Sequence, residues 1–163
     1  MTKTKQLILL LICTVTVLAS CSKLDKTDDE NFDYAGQFIK DTTAIRAFII
    51  SRKIPAVKDE KTGLFYQIII PGTGKSTYLG GVTANYTGSL LDGTVFDSSK
   101  GTPVTFKPLS SVIEGWQIGV PLIQPGGRIR LIIPSKLGYK NSKTMPFPPN
   151  SILDFTIDVI SAD

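Results

Sequence analysis

From Gly63 onward the apolar residues recur with a period of two, and that spacing excludes a helical domain. "LFYQIII" (Leu64 to Ile70) stops at the turn "PGTG", "TANYTGSLL" (Thr83 to Leu91) stops at "DG", and "GGRIRLIIP" (Gly126 to Pro134) follows a Pro-Gly-Gly turn. The last run, "SILDFTIDVIS", is the most regular. Leu153, Phe155, Ile157 and Val159 face one way, while Asp154, Thr156 and Asp158 face the other. Such alternation predicts an antiparallel sheet with one buried face and one wet face.

One short helix candidate interrupts the series. "SVIEGWQIGVP" (Ser111 to Pro121) holds the only tryptophan, Trp116, and Ser111 with Glu114 three residues on reads as a capping box. Pro121 and the later Pro125-Gly126 bound its far end. The economical architecture is α+β: a strongly bent antiparallel sheet wrapped around one short helix that turns its apolar side inward. Upstream, Tyr34, Phe38, Ile45, Phe48 and Ile49 recur at near-helical spacing, with Asp33 or Asp41 available as N-cap and Ile54-Pro55 as the stop. This N-terminal helical extension is expected to pack on the following domain or to space it from a membrane; a partner-binding helix is the sharper alternative.

The first twenty residues read as an export signal. Lys3 and Lys5 form a basic start, and the thirteen-residue apolar run Leu7 to Ala19 is too short to span a bilayer as a helix. It ends in "VLASC", which resembles the lipobox of bacterial lipoproteins and implies lipidation of Cys21. A plain secretory signal cut after Ala19 or Ser20 is the alternative. Multiple acyl chains on one residue anchor a protein without a membrane-spanning helix. By analogy with enterobacterial sorting, Ser22 favours the outer membrane. The expected location is the cell envelope, extracytoplasmic, with membrane contact through the lipid only. "SKLDKTDDEN" is polar and reads as a flexible tether, its "DDE" most simply a solvated run, with a calcium ligand set or a sorting signal as alternatives. The chain thus divides into a signal (1–20), a tether (21–32), a helical extension (33–62) and the sheet domain (63–163).

Charge and cysteine content exclude several function classes. Of 18 basic side chains two lie in the signal, and the remainder nearly balance 14 acidic ones, with no Lys/Arg run, so no nucleic-acid partner is expected. Cys13 leaves with the signal and Cys21 carries lipid, so no disulfide pair is left. Without histidine or a free thiol, Ser-His-Asp triads, Cys/His pairs and Cys/His zinc sites are excluded. No metal and no cofactor are expected. Chemistry must come from Asp, Glu, Tyr, Ser, Lys, backbone dipoles or shape.

Four segments in order, "NYTGSLLDGTVFDSS", "VIEGWQIGV", "IIPSKLGY" and "FPPNSILDF", resemble the FKBP-type peptidyl-prolyl isomerases over about Gly63 to Asp163. The preceding helix with "TGLFYQIIIPGTG" is similar in layout to FKBP lipoproteins of the Bacteroidetes. The resemblance implies a proline pocket with Trp116 as floor and Tyr86, Phe96, Val112, Ile113 and Phe155 as walls. It makes Asp97 and Tyr139 the polar members and gives the Ile113 N–H to a substrate carbonyl. It also implies proline-containing polypeptides as partners and FKBP-directed macrolides as ligands. Plainer roles exist: strand alternation alone would bury Phe106 and Phe155, and Asp97 would cap a turn after Asp92-Gly93. Against the commoner members, the segment Ser99 to Phe106 is shorter, Lys140 stands where glycine is usual, and "KNSKTMPFPPN" makes an unusual lip. Isomerisation needs neither a nucleophile nor a proton transfer, so a chain without histidine can perform it. The alternative function is a non-catalytic proline-peptide binding or chaperone module within an envelope assembly such as gliding machinery.

Overall fold

A computed structural model describes residues 32–163. The signal, Cys21, the acidic run and all of the tether but Phe32 lie outside the described residues. Helix α1 (Tyr34–Ser51) opens on Asp33, whose carboxylate accepts the Gly36 N–H at 2.8 Å. Asp41, the other N-cap candidate, sits inside the helix and is buried. The helix closes at Arg52, before Ile54-Pro55.

The strands follow as β1 (Val57–Lys58), β2 (Phe65–Ile70), β3 (Val82–Leu90), β4 (Val95–Ser98), β5 (Val104–Phe106), β6 (Arg128–Ile133) and β7 (Leu153–Ala162), with the short helix α2 (Glu114–Gly119) between β5 and β6. They form one sheet of order β1-β2-β6-β7-β3-β4, with β5 also paired to β3. Every pairing is antiparallel. The β3–β7 ladder is the longest, running from Val82 opposite Ala162 to Leu90 opposite Leu153. Each strand of it was legible by alternation, because its inner side chains all enter one core.

That inner core contains Leu131 and Ile133 of β6, Leu153, Phe155, Ile157 and Val159 of β7, and Trp116 and Val120 from the helical segment. Helix α2 approaches β6 closely because two of its inward positions carry no side chain: a Cβ on Gly115 would lie 2.6 Å from Ile133 and one on Gly119 2.5 Å from Leu131. The expected capping box does not form. Leu109–Ser111 is a separate 3-10 turn, so α2 starts at Glu114 with Ile113 as N-cap, and the Ser111 hydroxyl donates back to the Pro108 carbonyl at 2.7 Å. Glu114 is then the first helical residue, out of reach of the reciprocal bond.

The outer face is not simply wet. Ile45 of α1, Phe65 of β2 and Ile132 of β6 form a second buried cluster, with Phe48, Ile49 and Ile54 packed against it. Asp154, expected in water, is 7% exposed and accepts both Nε and Nη2 of Arg130, at 2.8 and 2.6 Å. The Arg130 guanidinium in turn lies 5.9 Å from the Phe48 ring centroid. Helix α1 covers this part of the sheet, and alternation within one strand carries no information about a helix that precedes the whole sheet. Among the described residues no helix is long and apolar enough to cross a membrane.

Candidate functional site

The inner core is incomplete over Trp116. The indole is 3% exposed and is met edge-on by three rings: Phe106 at 5.2 Å and 69°, Tyr86 at 5.4 Å and 82°, and Phe155 at 5.4 Å and 90°. Rings that meet edge to face are held apart at their far edges, so the group packs well and still leaves space. The result is a cavity of about 270 Å³. Tyr86, Phe106, Trp116 and Phe155 line it from the sheet and helix, Ser111, Val112 and Ile113 from the approach to α2, and Asp97 and Tyr139 complete the rim.

Each wall has a local cause. Tyr86 and Phe155 reach the cavity from the neighbouring central strands β3 and β7. Gly88 of β3 lies under the rings, where a Cβ would come within 2.5 Å of Phe155 and 2.9 Å of Phe96. Asp97, on β4, accepts the Tyr86 hydroxyl at 2.9 Å. Val112 and Ile113 form the extended step between the 3-10 turn and α2, and the Ile113 N–H has no partner among the described residues. Trp116 Nε1 is also buried and unpaired, a state that native interiors seldom tolerate. Tyr139 follows the 3-10 turn Ser135–Leu137.

Seven of the eight expected pocket residues therefore line one cavity; Phe96 does not. Its ring stands behind the wall, 5.5 Å and perpendicular to Phe155 and 4.8 Å from Phe147. Phe147 also touches Tyr139, at 5.6 Å between ring centroids, so the long lip is tied to the cavity through aromatic contacts.

The FKBP-type peptidyl-prolyl cis-trans isomerase description matches residues 74–160, more than half of the sequence and every cavity residue. The chain belongs to this family. It is 40% identical over 111 residues to the FKBP-type peptidyl-prolyl cis-trans isomerase FkpA of Escherichia coli, covering 66% of the chain and 41% of the relative. It is 41% identical over 121 residues to the peptidyl-prolyl cis-trans isomerase Mip of Coxiella burnetii, covering 71% and 52%. The chain thus spans about half or less of the length of these curated relatives. Among solved structures, E. coli FkpA superposes with a TM-score of 0.68 at 34% identity, covering 80% of this chain and 61% of that one. A Pseudomonas syringae peptidyl-prolyl isomerase gives 0.63 at 33%, covering 77% and 95%. The bent sheet around a short helix is the FKBP arrangement.

Electrostatically, this FKBP site keeps its phenols neutral. The Tyr86 pKa is pushed up to about 12, first by burial and then by its hydrogen bond to Asp97 and by the charges of Asp97 and Tyr139. Burial, followed by the Asp97 charge, raises Tyr139 as well. Both therefore remain O–H donors at any physiological pH. Sequence reading treated Phe106 as plain core and Ser111 as a helix cap. The inward turn of the Phe106 ring depends on β5 pairing with β3, Phe106 opposite Val82, and nothing in the segment "TPVTF" reveals that pairing.

Proposed function

We propose that this chain is a peptidyl-prolyl cis-trans isomerase acting on Xaa-Pro bonds of exported proteins, tethered at the cell envelope by lipid on Cys21. The observation that carries the catalytic part is the Ile113 N–H, without a partner among the described residues, beside an aromatic-walled cavity of about 270 Å³.

Rotation about an Xaa-Pro amide meets a barrier of about 18–20 kcal/mol because the C–N bond must lose its resonance. As the amide twists, charge separation across it falls, so moving it out of water costs the twisted form less than the planar one. The cavity supplies this difference. The proline ring seats on the Trp116 indole between Tyr86, Phe106 and Phe155, where water is excluded. The Ile113 N–H holds the carbonyl of the bound segment and so fixes one side of the rotating bond. The Tyr139 hydroxyl, kept protonated, donates to the substrate backbone, and Asp97 orients Tyr86 through the 2.9 Å hydrogen bond. Binding the twisted amide better than either planar isomer accelerates both directions. No proton or electron moves, which suits a site without histidine.

The envelope reading rests on the basic start, the short apolar run and "VLASC", and the division into signal, tether, helical extension and isomerase domain belongs to the same proposal. FKBP-directed macrolides are proposed as ligands of the same cup. A protease-coupled assay on a Leu-Pro peptide tests the activity, and a folded protein without rate enhancement overturns it. Palmitate-analogue labelling tests the anchor: wild type is labelled and Cys21→Ala is not, and equal labelling sinks the lipid assignment.

A further inference from the structure

The carboxylate of Asp41, on α1, lies outside the family match and has no part in the cavity. It is 3% exposed, and its Oδ2 accepts both the Ser135 backbone N–H at 2.8 Å and the Ser135 hydroxyl at 2.6 Å. Its Oδ1 accepts the Gln37 side-chain amide at 2.7 Å. Ser135, itself 2% exposed, opens the turn that leads to Tyr139. Its carbonyl accepts the N–H of Gly138 at 3.0 Å and of Lys140 at 2.9 Å, the two residues flanking Tyr139. The chain of bonds is continuous: Asp41 fixes the peptide N–H and hydroxyl of Ser135, and Ser135 fixes the backbone on both sides of Tyr139.

Charge-assisted bonds of this kind are short and directional, and among the described residues the Ser135 hydroxyl and N–H both bond to Asp41 of α1 and not to a strand. The turn lies on the rim of a cavity whose chemistry depends on placement alone. We propose that Asp41 is a positioning residue for the isomerase site, setting Tyr139 through Ser135, so that the N-terminal helix is a working part of the active site and not only a spacer. This deepens the isomerase reading and rests on it for its bearing on turnover.

The test uses the full chain with Asp41→Ala and Asp41→Asn. Asparagine keeps an acceptor for Ser135 if the Gln37 amide turns over, so it is the rescue variant. Displacing a rim group by a fraction of an ångström costs on the order of tenfold. Asp41→Ala should therefore lower kcat/KM by about tenfold and Asp41→Asn by about twofold or less. In a Tyr139→Ala background Asp41→Ala should remove little more, because both act through one group. Losses that multiply in the double variant overturn the proposal. Independently of activity, amide exchange at Gly138 and Lys140 should accelerate at least about tenfold in Asp41→Ala, while the β3–β7 amides of Tyr86 and Ile157 change far less. Uniform acceleration, or none at Lys140, overturns the relay. A wild type that binds but does not isomerise defeats the isomerase reading alone, and the exchange data then decide the relay by themselves.

Discussion

The two faces of the sheet are packed in opposite ways. On the outer face Ile45, Phe65 and Ile132, all 2% exposed or less, meet with no ring stacked on ring, and the nearby polar atoms of Arg130 and Asp154 satisfy each other. On the inner face three rings meet the Trp116 indole edge-on beside the cavity, and two N–H groups, of Ile113 and Trp116, have no partner among the described residues. Aliphatic side chains close on one another, whereas edge-on aromatics at 5 to 6 Å leave a hole. The outer cluster closes completely, whereas the inner face holds the larger core and leaves a cavity over Trp116, and the difference is built from side-chain shape on one continuous sheet.

The largest expected effect comes from opening the closed outer cluster. Phe65→Ala removes a ring that is 2% exposed and clusters with Ile45 and Ile132, so it should cost roughly 3 to 5 kcal/mol. A denaturant titration followed by circular dichroism measures it. The molecules still folded should isomerise within about twofold of wild type. A large loss of kcat/KM without a stability change would show that the faces are not separable.

The converse is Trp116→Leu. Leucine keeps apolar volume beneath the sheet, and removal of the indole also removes its buried, unpaired Nε1 donor, which offsets part of the packing loss. We expect at least about a tenfold loss in affinity for a proline peptide, with a stability cost of about 1 to 3 kcal/mol, smaller than that of Phe65→Ala. In the wild type, saturating ligand should shift the emission of this sole tryptophan. Calorimetric binding with an unmoved spectrum would mean that the cavity is occupied elsewhere than over the indole.

How much of this was open to sequence reading follows the same division. The inner positions of β7 were legible from alternation within the strand, whereas the grouping of Tyr86, Trp116 and Phe155 was implied only by the resemblance to the FKBP family. Asp154 was misread as wet and Ser111 as a cap. The first depends on α1 packing from far upstream, and the second on a 3-10 turn that moves the helix start by two residues. Phe96 was legible as aromatic, but its side of the wall was not, since Phe147 reaches it from a lip more than fifty residues away.

Phe96→Ala sharpens the boundary between wall and lining. The ring touches Phe155 and Phe147 but does not line the cavity, so its loss should act on the site indirectly, by letting Phe155 tilt and by loosening Phe147 against Tyr139. A threefold to tenfold fall in kcat/KM, about 0.7 to 1.4 kcal/mol, is expected, carried by kcat more than by KM. A pure rise in KM would place Phe96 against the substrate after all.

The smallest expected effect is that of pH, and it separates placement chemistry from proton chemistry. With no histidine in the chain, no side chain of ordinary pKa titrates between about pH 6 and 8. Tyr86, pushed up to about 12, and Tyr139, raised in the same direction, are phenols throughout that range. Their folded values lie above the free value of about 10, so folding favours the neutral form. That contribution to stability is complete below about pH 10 and is lost as pH climbs through the folded values. The rate should therefore be flat from about pH 6 to 9 and fall only in alkali, together with the melting temperature, as Tyr86 ionises beside Asp97 and the 2.9 Å bond between them loses its proton. A bell-shaped profile centred near neutrality in the folded protein would require a titrating catalytic group, and the mechanism by desolvation and placement would then fail.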